Sequence, residues 1–233
     1  MNASIIICAY NHLEDLSKPC IEAVIKNTRA PYELILVDDG STDDTFAYFN
    51  TITKKAIHSR VNRGIAFSRN LGMALAEGDL MVLIDNDVTV HPGWLAGLIE
   101  NAQKSNIGMI GYIPTDQSYR LQFPRSADGL IDVYEHSAAC IGITREAFNR
   151  VGYFDTKLRT AADDTDYCFR VFLSGLRVAI IPEIIRHDPG GTISIERKNE
   201  TRPYFWKKWE KTWICKAAFP NLKWTRKGLQ KCE

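Results

Sequence analysis

Three apolar runs, Ser4–Tyr10, Tyr32–Val37 and Leu80–Ile84, each stop at a polar cluster, and stretches of helical spacing lie between them. Strands covered on both faces read as continuous apolar runs rather than alternating ones. Leu13–Thr28 brings Leu16, Cys20, Ala23 and Val24 onto one helical face, and Ile65–Ala76 repeats the helical pattern up to the stop at Glu77-Gly78-Asp79. Asp43–Ile52 reads as a further helix and Ala56–Ser59 as a short strand. Strands alternating with helices at this spacing predict β-α-β units: an α/β chain whose mostly parallel central sheet is flanked by helices, with a Rossmann-like first half.

The second half is less regular. Gly93–Ala102 reads as a helix, Ile107–Tyr112 as a strand, and Pro114–Glu135 as a long loop or hairpin without clear period. Ala138–Ile143 is a strand, Arg145–Val151 a short helix, Thr165–Ser174 a helix with acids at its start, and Arg177–Ile181 and Ile184–His187 two strands. Residues 1–201 form the expected main domain, dividing near 112. Residues 202–233 stand apart by composition. They hold nine Lys or Arg, two acids and four of the five Trp, leaving 20 basic and 26 acidic side chains elsewhere.

Composition narrows the field further. The formal net charge of +1 argues against a nucleic-acid partner. No apolar run approaches the roughly 20 residues that span a bilayer, and the N-terminus has no basic, apolar leader pattern. The six Cys form no C-x-x-C pair, so Cys8 and Cys20 read as small buried hydrophobes and the expected compartment is the reducing cytoplasm.

In open α/β sheets, ligands bind beyond the carboxyl ends of the strands. There stand Asp38-Asp39-Gly40, Asn62-Arg63-Gly64 and Asp85-Asn86-Asp87. Each alone is ordinary turn chemistry; three at successive strand ends suggest one cleft. Two carboxylates one residue apart, Asp85 and Asp87, suit a hard divalent cation such as Mg²⁺, which also draws in substrate phosphates. Asp163-Asp164-x-Asp166 reads either as acids capping a first helical turn or as the seat of a general base. His187 ends a short apolar strand before the Gly-rich stretch 188–191, where a metal ligand fits.

Taken in order, these stretches resemble glycosyltransferase family 2, the inverting enzymes of the GT-A fold. The similarity rests on Ala9-Tyr10-Asn11, Val37-Asp38-Asp39-Gly40-Ser41-Thr42-Asp43, Asn62-x-Gly64 with Arg69-Asn70, Gly78-Asp79 leading to Asp85-x-Asp87, His91-Pro92-Gly93-Trp94-Leu95, Gly152-x-Phe154-Asp155 and Asp163-Asp164-x-Asp166, across residues 4–191. The resemblance implies a donor site of Ala9, Tyr10, Asn11, Asp39, Arg69, Asp85 and Asn86, with Asp39 on the base and Asp85 on the ribose. It implies Mn²⁺ or Mg²⁺ held by Asp87 and His187, and Asp164 as catalytic base. Asp163, Asp166, Trp94 and His136 are candidates for supporting or acceptor contacts. Many members carry Glu-Asp, usually after Gly, where this chain has Asp163-Asp164 after Ala162; Asp163 and Asp164 are therefore open to exchanging roles. The first half is then a nucleotide-sugar half, 1–112, and 113–201 an acceptor and catalytic half.

A carboxylate accepts hydrogen bonds and cannot donate them. If Asp39 meets the base edge, the N3–H of uracil or thymine fits and cytosine does not, so a UDP- or dTDP-linked sugar is favoured, with guanine not excluded. The acceptor is expected to be a glycan or a lipid-linked molecule lying against Pro114–His136 and the tail. Two rivals stand beside this reading: a nucleotide-sugar-binding module without turnover, and a nucleotidyltransferase, whose Gly-rich basic loop Ala9-Tyr10-Asn11-His12 does not supply. In the tail, Trp206, Trp209, Trp213 and Ala217 share one face of an expected helix. Either that face lies in a membrane interface with Lys207, Lys208 and Lys211 beside it, giving a peripheral seat on the inner face of the membrane, or it packs on the main domain.

Overall fold

The computed structural model describes residues 1–188, 195–218, 222–225 and 228–231. Strands β1 (Ala3–Ala9), β2 (Tyr32–Asp38), β3 (Ala56–His58) and β4 (Leu80–Asp85) pair in parallel in the order β3-β2-β1-β4. All seven residues of β1 are buried, which explains its unbroken apolar run. Ile5 and Ile7 face the layer containing Cys20, Ile21 and Val24 of helix α1 (Lys18–Asn27), while Ile6 and Cys8 face Ala66 and Met73 of helix α3 (Ile65–Leu75). At Gly72 any side chain would collide with Ile6, so α3 lies directly on the strand. Helix α2 (Thr45–Ile52) bridges β2 and β3.

Beyond β4 the sheet continues through β8 (Cys140–Thr144), β6 (Ile107–Pro114) and β9 (Arg177–His187), with the short β5 (Val88–Thr89) at the edge and β7 (Ile131–Asp132) also paired to β9. β8 runs antiparallel to both β4 and β6, and β9 runs parallel to β6. Six strands therefore point one way, and only β8 and the short β5 and β7 oppose them, which is the mostly parallel sheet expected. Helices α4 (Trp94–Ala102), α5 (Arg145–Val151) and α6 (Asp163–Leu173) cover this half.

Several local expectations change. Arg177–Ile181 and Ile184–His187 are one strand, because the register with β6 shifts between Tyr112 and Ile113 and passes over Pro182 and Glu183. A bulge keeps the chain in the sheet where proline removes a ladder donor. Pro114–Glu135 contains 3₁₀ turns over Thr115–Gln122 and then β7. Val88–Thr89, too short to carry a period, is a strand.

The tail's expected single helix is two. Helix α7 (Ile195–Trp209) ends before α8 (Trp213–Ala218), and a hairpin of β10 (Leu222–Thr225) and β11 (Gly228–Lys231) follows. The break separates Trp213 and Ala217 from the face of Trp206 and Trp209. Phe205, Trp206, Trp209, Ile214 and Cys215 are buried with Leu158 of the preceding loop and Phe169 of α6. The Trp206–Trp209 face is thus covered by protein, not free for a membrane interface, and the compositional boundary at 201/202 falls inside α7. Five Cys are buried and free; Cys232 lies outside the described residues. Among the described residues, no helix is long and apolar enough to cross a membrane.

Candidate active site

The sheet sends the ends of β1, β2 and β4 to one rim, and the two Asp after β2 divide there. Asp38 is spent on structure: its Oδ1 accepts from Ser41 N at 2.9 Å and its Oδ2 lies 2.7 Å from His58 Nδ1. Asp39 accepts from Arg63 N at 2.9 Å and Gly64 N at 2.7 Å. Burial raises its pKa against these donors. Gly64 takes φ +92° here, and a side chain would collide with Arg159; glycine is what lets this backbone cradle the carboxylate. Ser68 also bears on this carboxylate, which as an acceptor-only group has lone-pair sites beyond these donors. Tyr10 stands 42% exposed at the end of β1. Asn11 ties the rim together instead, its Oδ1 accepting from Thr42 N at 2.8 Å and its N donating to Ser41 Oγ at 2.7 Å. Ala9 O accepts from Asp39 N at 2.8 Å.

Arg69, on α3, is 5% exposed and joins the two acidic clusters. Its Nη1 donates to Asp163 Oδ2 at 2.6 Å and its Nη2 to Asp85 Oδ1 at 2.8 Å. A buried guanidinium needs such partners, here the buried Asp163 and the half-buried Asp85, since left alone it is an uncompensated charge. Burial pushes the Asp163 and Asp85 carboxyls up while Arg69 pulls them down. Asp163 is therefore committed to this bridge. Asp164, half-buried, accepts from Thr165 N at 2.7 Å and from Ala138 N at 3.3 Å. Of the two neighbours, Asp164 is the one without a cationic partner among these contacts.

The pairing of β5 with β9 sets His187 opposite Val88, and so next to Asp87. One atom each from Asp85, Asp87 and His187 lies within 4.8 Å of the others. Asp87 Oδ1 is buried, 3.4 Å from His187 Nε2. The imidazole is its partner there, and two carboxylate oxygens with an imidazole nitrogen fit a divalent cation of the Mn²⁺ type. Without a cation the acids hold the His187 imidazolium, raised to about 9 by Asp87 first and Asp116 after it.

Other expected site residues sit elsewhere. Trp94 is fully buried, its Nε1 donating to Thr28 Oγ1 at 3.0 Å, so it is core and not an acceptor contact. His136 is fully buried against the Gly111 backbone and its pKa falls to about 3, so it meets no acceptor here. Asp166 is fully buried and anchors the tail: its Oδ1 accepts from Trp209 Nε1 at 2.7 Å and its Oδ2 from Arg170 Nε at 2.9 Å, with Lys208 Nζ 2.6 Å from Oδ1. Asn86 Nδ2 donates to Ser17 Oγ at 2.9 Å, shaping the turn between the two acids. The Gly-rich stretch after Asp188 lies outside the described residues. Asp116, 3.1 Å from His187 Nδ1, went unread because its segment has no period.

The family description "Glycosyl transferase family 2" matches residues 4–174, most of the chain, and the chain belongs to that family. Among proteins it is similar to is the glucosyl-dolichyl phosphate glucuronosyltransferase of Haloferax volcanii, 26% identical over 200 residues, 74% of this chain and 64% of that one. The chain thus spans somewhat under two thirds of that relative's length. Two solved structures share the fold. One is GalNAc-T7 with UDP, GalNAc and Mn²⁺ (TM-score 0.67, 16% identity, 80% of this chain and 43% of that one). The other is the mannosyltransferase PcManGT of Pyrobaculum calidifontis with GDP-Man and Mn²⁺ (TM-score 0.65, 20% identity, 81% and 58%). The expected GT-A fold is the fold found.

Proposed function

We propose that this chain transfers a glycosyl group from a nucleoside diphosphate sugar to an acceptor hydroxyl, with inversion at the anomeric carbon and with Mn²⁺ or Mg²⁺ bound. The observation that carries this reading is the convergence of Asp85, Asp87 and His187, with Asp87 Oδ1 buried and met only by the His187 imidazole at 3.4 Å among the described residues, at the end of a nucleotide-type sheet. A cation held by Asp85, Asp87 and His187 would neutralise the charge that develops on the leaving diphosphate.

The chain's own residues supply the rest. Tyr10 and the spare lone pairs of Asp39 take the base, with UDP or dTDP donors favoured by the acceptor-only carboxylate. Ala9 and Asn11 shape the rim that faces it. Asp85 keeps Oδ2 free for a ribose hydroxyl or the cation while Arg69 holds its Oδ1, and Asn86 fixes the turn that presents both acids. Inversion is a direct displacement, so a base must stand on the acceptor side and remove the hydroxyl proton as the new bond forms. Asp164 takes that role, and Asp163 keeps Arg69 in place.

The acceptor is proposed to be a glycan or a lipid-linked molecule in glycan or polysaccharide synthesis; the Haloferax relative's name points to a dolichyl phosphate-linked partner for that protein. A peripheral seat on the inner face of a membrane would rest on Lys207, Lys211, Trp213 and Lys216, which are exposed beside the buried Trp206 and Trp209. A screen of nucleotide sugars for cation-dependent hydrolysis tests the reaction without knowledge of the acceptor. No turnover of any donor, with UDP and Mn²⁺ still bound, would favour a binding module instead.

A further inference from the structure

We infer that Asp116, seated by Thr115, is a positioning residue that orients His187 toward the cation; the inference rests on the cation site of the function just proposed. His187 has two ring nitrogens, and only one faces Asp85 and Asp87. Nε2 lies 3.4 Å from Asp87 Oδ1, and Nδ1 lies 3.1 Å from Asp116 Oδ1 on the opposite side of the ring. A neutral imidazole carries one N–H. A carboxylate can only accept, so Asp116 keeps the proton on Nδ1 and leaves the Nε2 lone pair for a metal.

The backbone is held as firmly as the ring. Thr115 Oγ1 donates to His187 O at 2.7 Å and accepts from His187 N at 3.2 Å, so one hydroxyl fixes both polar groups of the residue. On the far side Asp188 N donates to Asp87 O at 3.0 Å. His187 thus sits between the turn that carries Asp87 and the segment that carries Asp116. The Asp116 side chain is 48% exposed and makes no ion pair other than the one to His187 among the described residues. Half-exposed and paired weakly, it adds little to stability, while its geometry matches the outer carboxylate that orients a metal-ligating histidine.

The test uses the full-length chain and Mn²⁺, titrated by electron paramagnetic resonance alone and with UDP, for the wild type and for Asp116→Ala, Asp116→Asn and His187→Ala. Loss of such an outer partner weakens metal affinity by about 10–100-fold. Asp116→Ala is expected to fall in that range. Asp116→Asn, whose side-chain oxygen still accepts from Nδ1–H, is expected to stay within a few-fold of wild type. ¹⁵N spectra of the imidazole in the cation-free protein, taken at alkaline pH where the ring is neutral, are expected to show the Nδ1–H tautomer in the wild type and a mixture in Asp116→Ala. Wild-type affinity and a wild-type tautomer in Asp116→Ala, with affinity lost in His187→Ala, would overturn the positioning role and leave the cation site standing. Equal Mn²⁺ affinity in wild type and His187→Ala would overturn the cation site itself, and the inference with it.

Discussion

At the scale of single residues, the acids of α6 look alike in sequence and differ in what they touch. Asp163 faces Arg69, Asp166 faces Trp209 and Lys208, and Asp164, which accepts from the Thr165 and Ala138 backbone, is the one proposed as the base. Asp164→Asn keeps the shape and loses the proton acceptor, so kcat is expected to drop by at least ~10²-fold with UDP affinity unchanged. Asp163→Asn is expected to lower the melting temperature, because a buried Arg69 loses a charged partner. A damaging Asp163→Asn beside a mild Asp164→Asn in kcat reverses the assignment. Ala162, just before these acids, has φ 63° and ψ 12°. A left-handed alanine costs roughly 1–2 kcal/mol, partly offset in glycine by the freedom of its unfolded chain, so Ala162→Gly is expected to raise the melting temperature. A lower one would mean that the strain is not there. His136 gives a pH signature. Burial lowers its pKa from 6.5 to about 3, so between those values the unfolded chain binds the extra proton. Its share of stability is full above pH 6.5 and is lost as pH falls toward 3. Chemical denaturation across that window is expected to show a shallower decline for His136→Gln than for the wild type.

At the scale of elements, α6 is the hinge between catalysis and tail. Within its first turn Asp163 faces the site while Asp166 receives the tail's Trp209. Trp209→Phe keeps an aromatic ring but leaves a buried carboxylate oxygen short of one donor, so unfolding free energy is expected to fall by about 1–3 kcal/mol. An unchanged denaturation midpoint would mean that the tail is not packed there. Sequence pattern served well wherever a strand is buried on both faces, as in β1 and β4, or a helix has one apolar stripe, as in α1 and α3. It failed where tertiary contacts make the element. β5 is two residues long and exists through its pairing with β9. β9 hides behind Pro182, which reads as a break until the bulge opposite Tyr112 is seen. The tail's Trp spacing suits one helix, and the break at 210–212 has no glycine or proline to announce it.

At the scale of the whole molecule, the acids at the strand ends were legible because parallel topology gathers them at one rim. What joins them was not. Arg69 touches Asp85 of β4 and Asp163 of α6, which are 78 positions apart in sequence, and Asp116 reaches His187 across 71. No periodicity reports such pairings. They make the site a junction: Asp85, Asp87 and Arg69 come from the first half of the chain, and Asp163, Asp164 and His187 from the second. A ligand that binds this junction binds only the folded chain, so it stabilises by mass action, about 2.7 kcal/mol at a hundredfold excess over Kd. Mn²⁺ and UDP together are therefore expected to raise the melting temperature in calorimetry. Chelation with EDTA is expected to reverse the rise, and Mn²⁺ is expected to add nothing to UDP in Asp87→Ala, which lacks the carboxylate facing His187. Arg69→Met separates two causes. It removes the tie between the halves, so it should lower the melting temperature without ligand, yet the cation ligands remain and part of the Mn²⁺-dependent rise should persist. A rise in Asp87→Ala equal to that of the wild type would place the cation elsewhere, because neither Asp85, held by Arg69, nor His187 alone makes a divalent site.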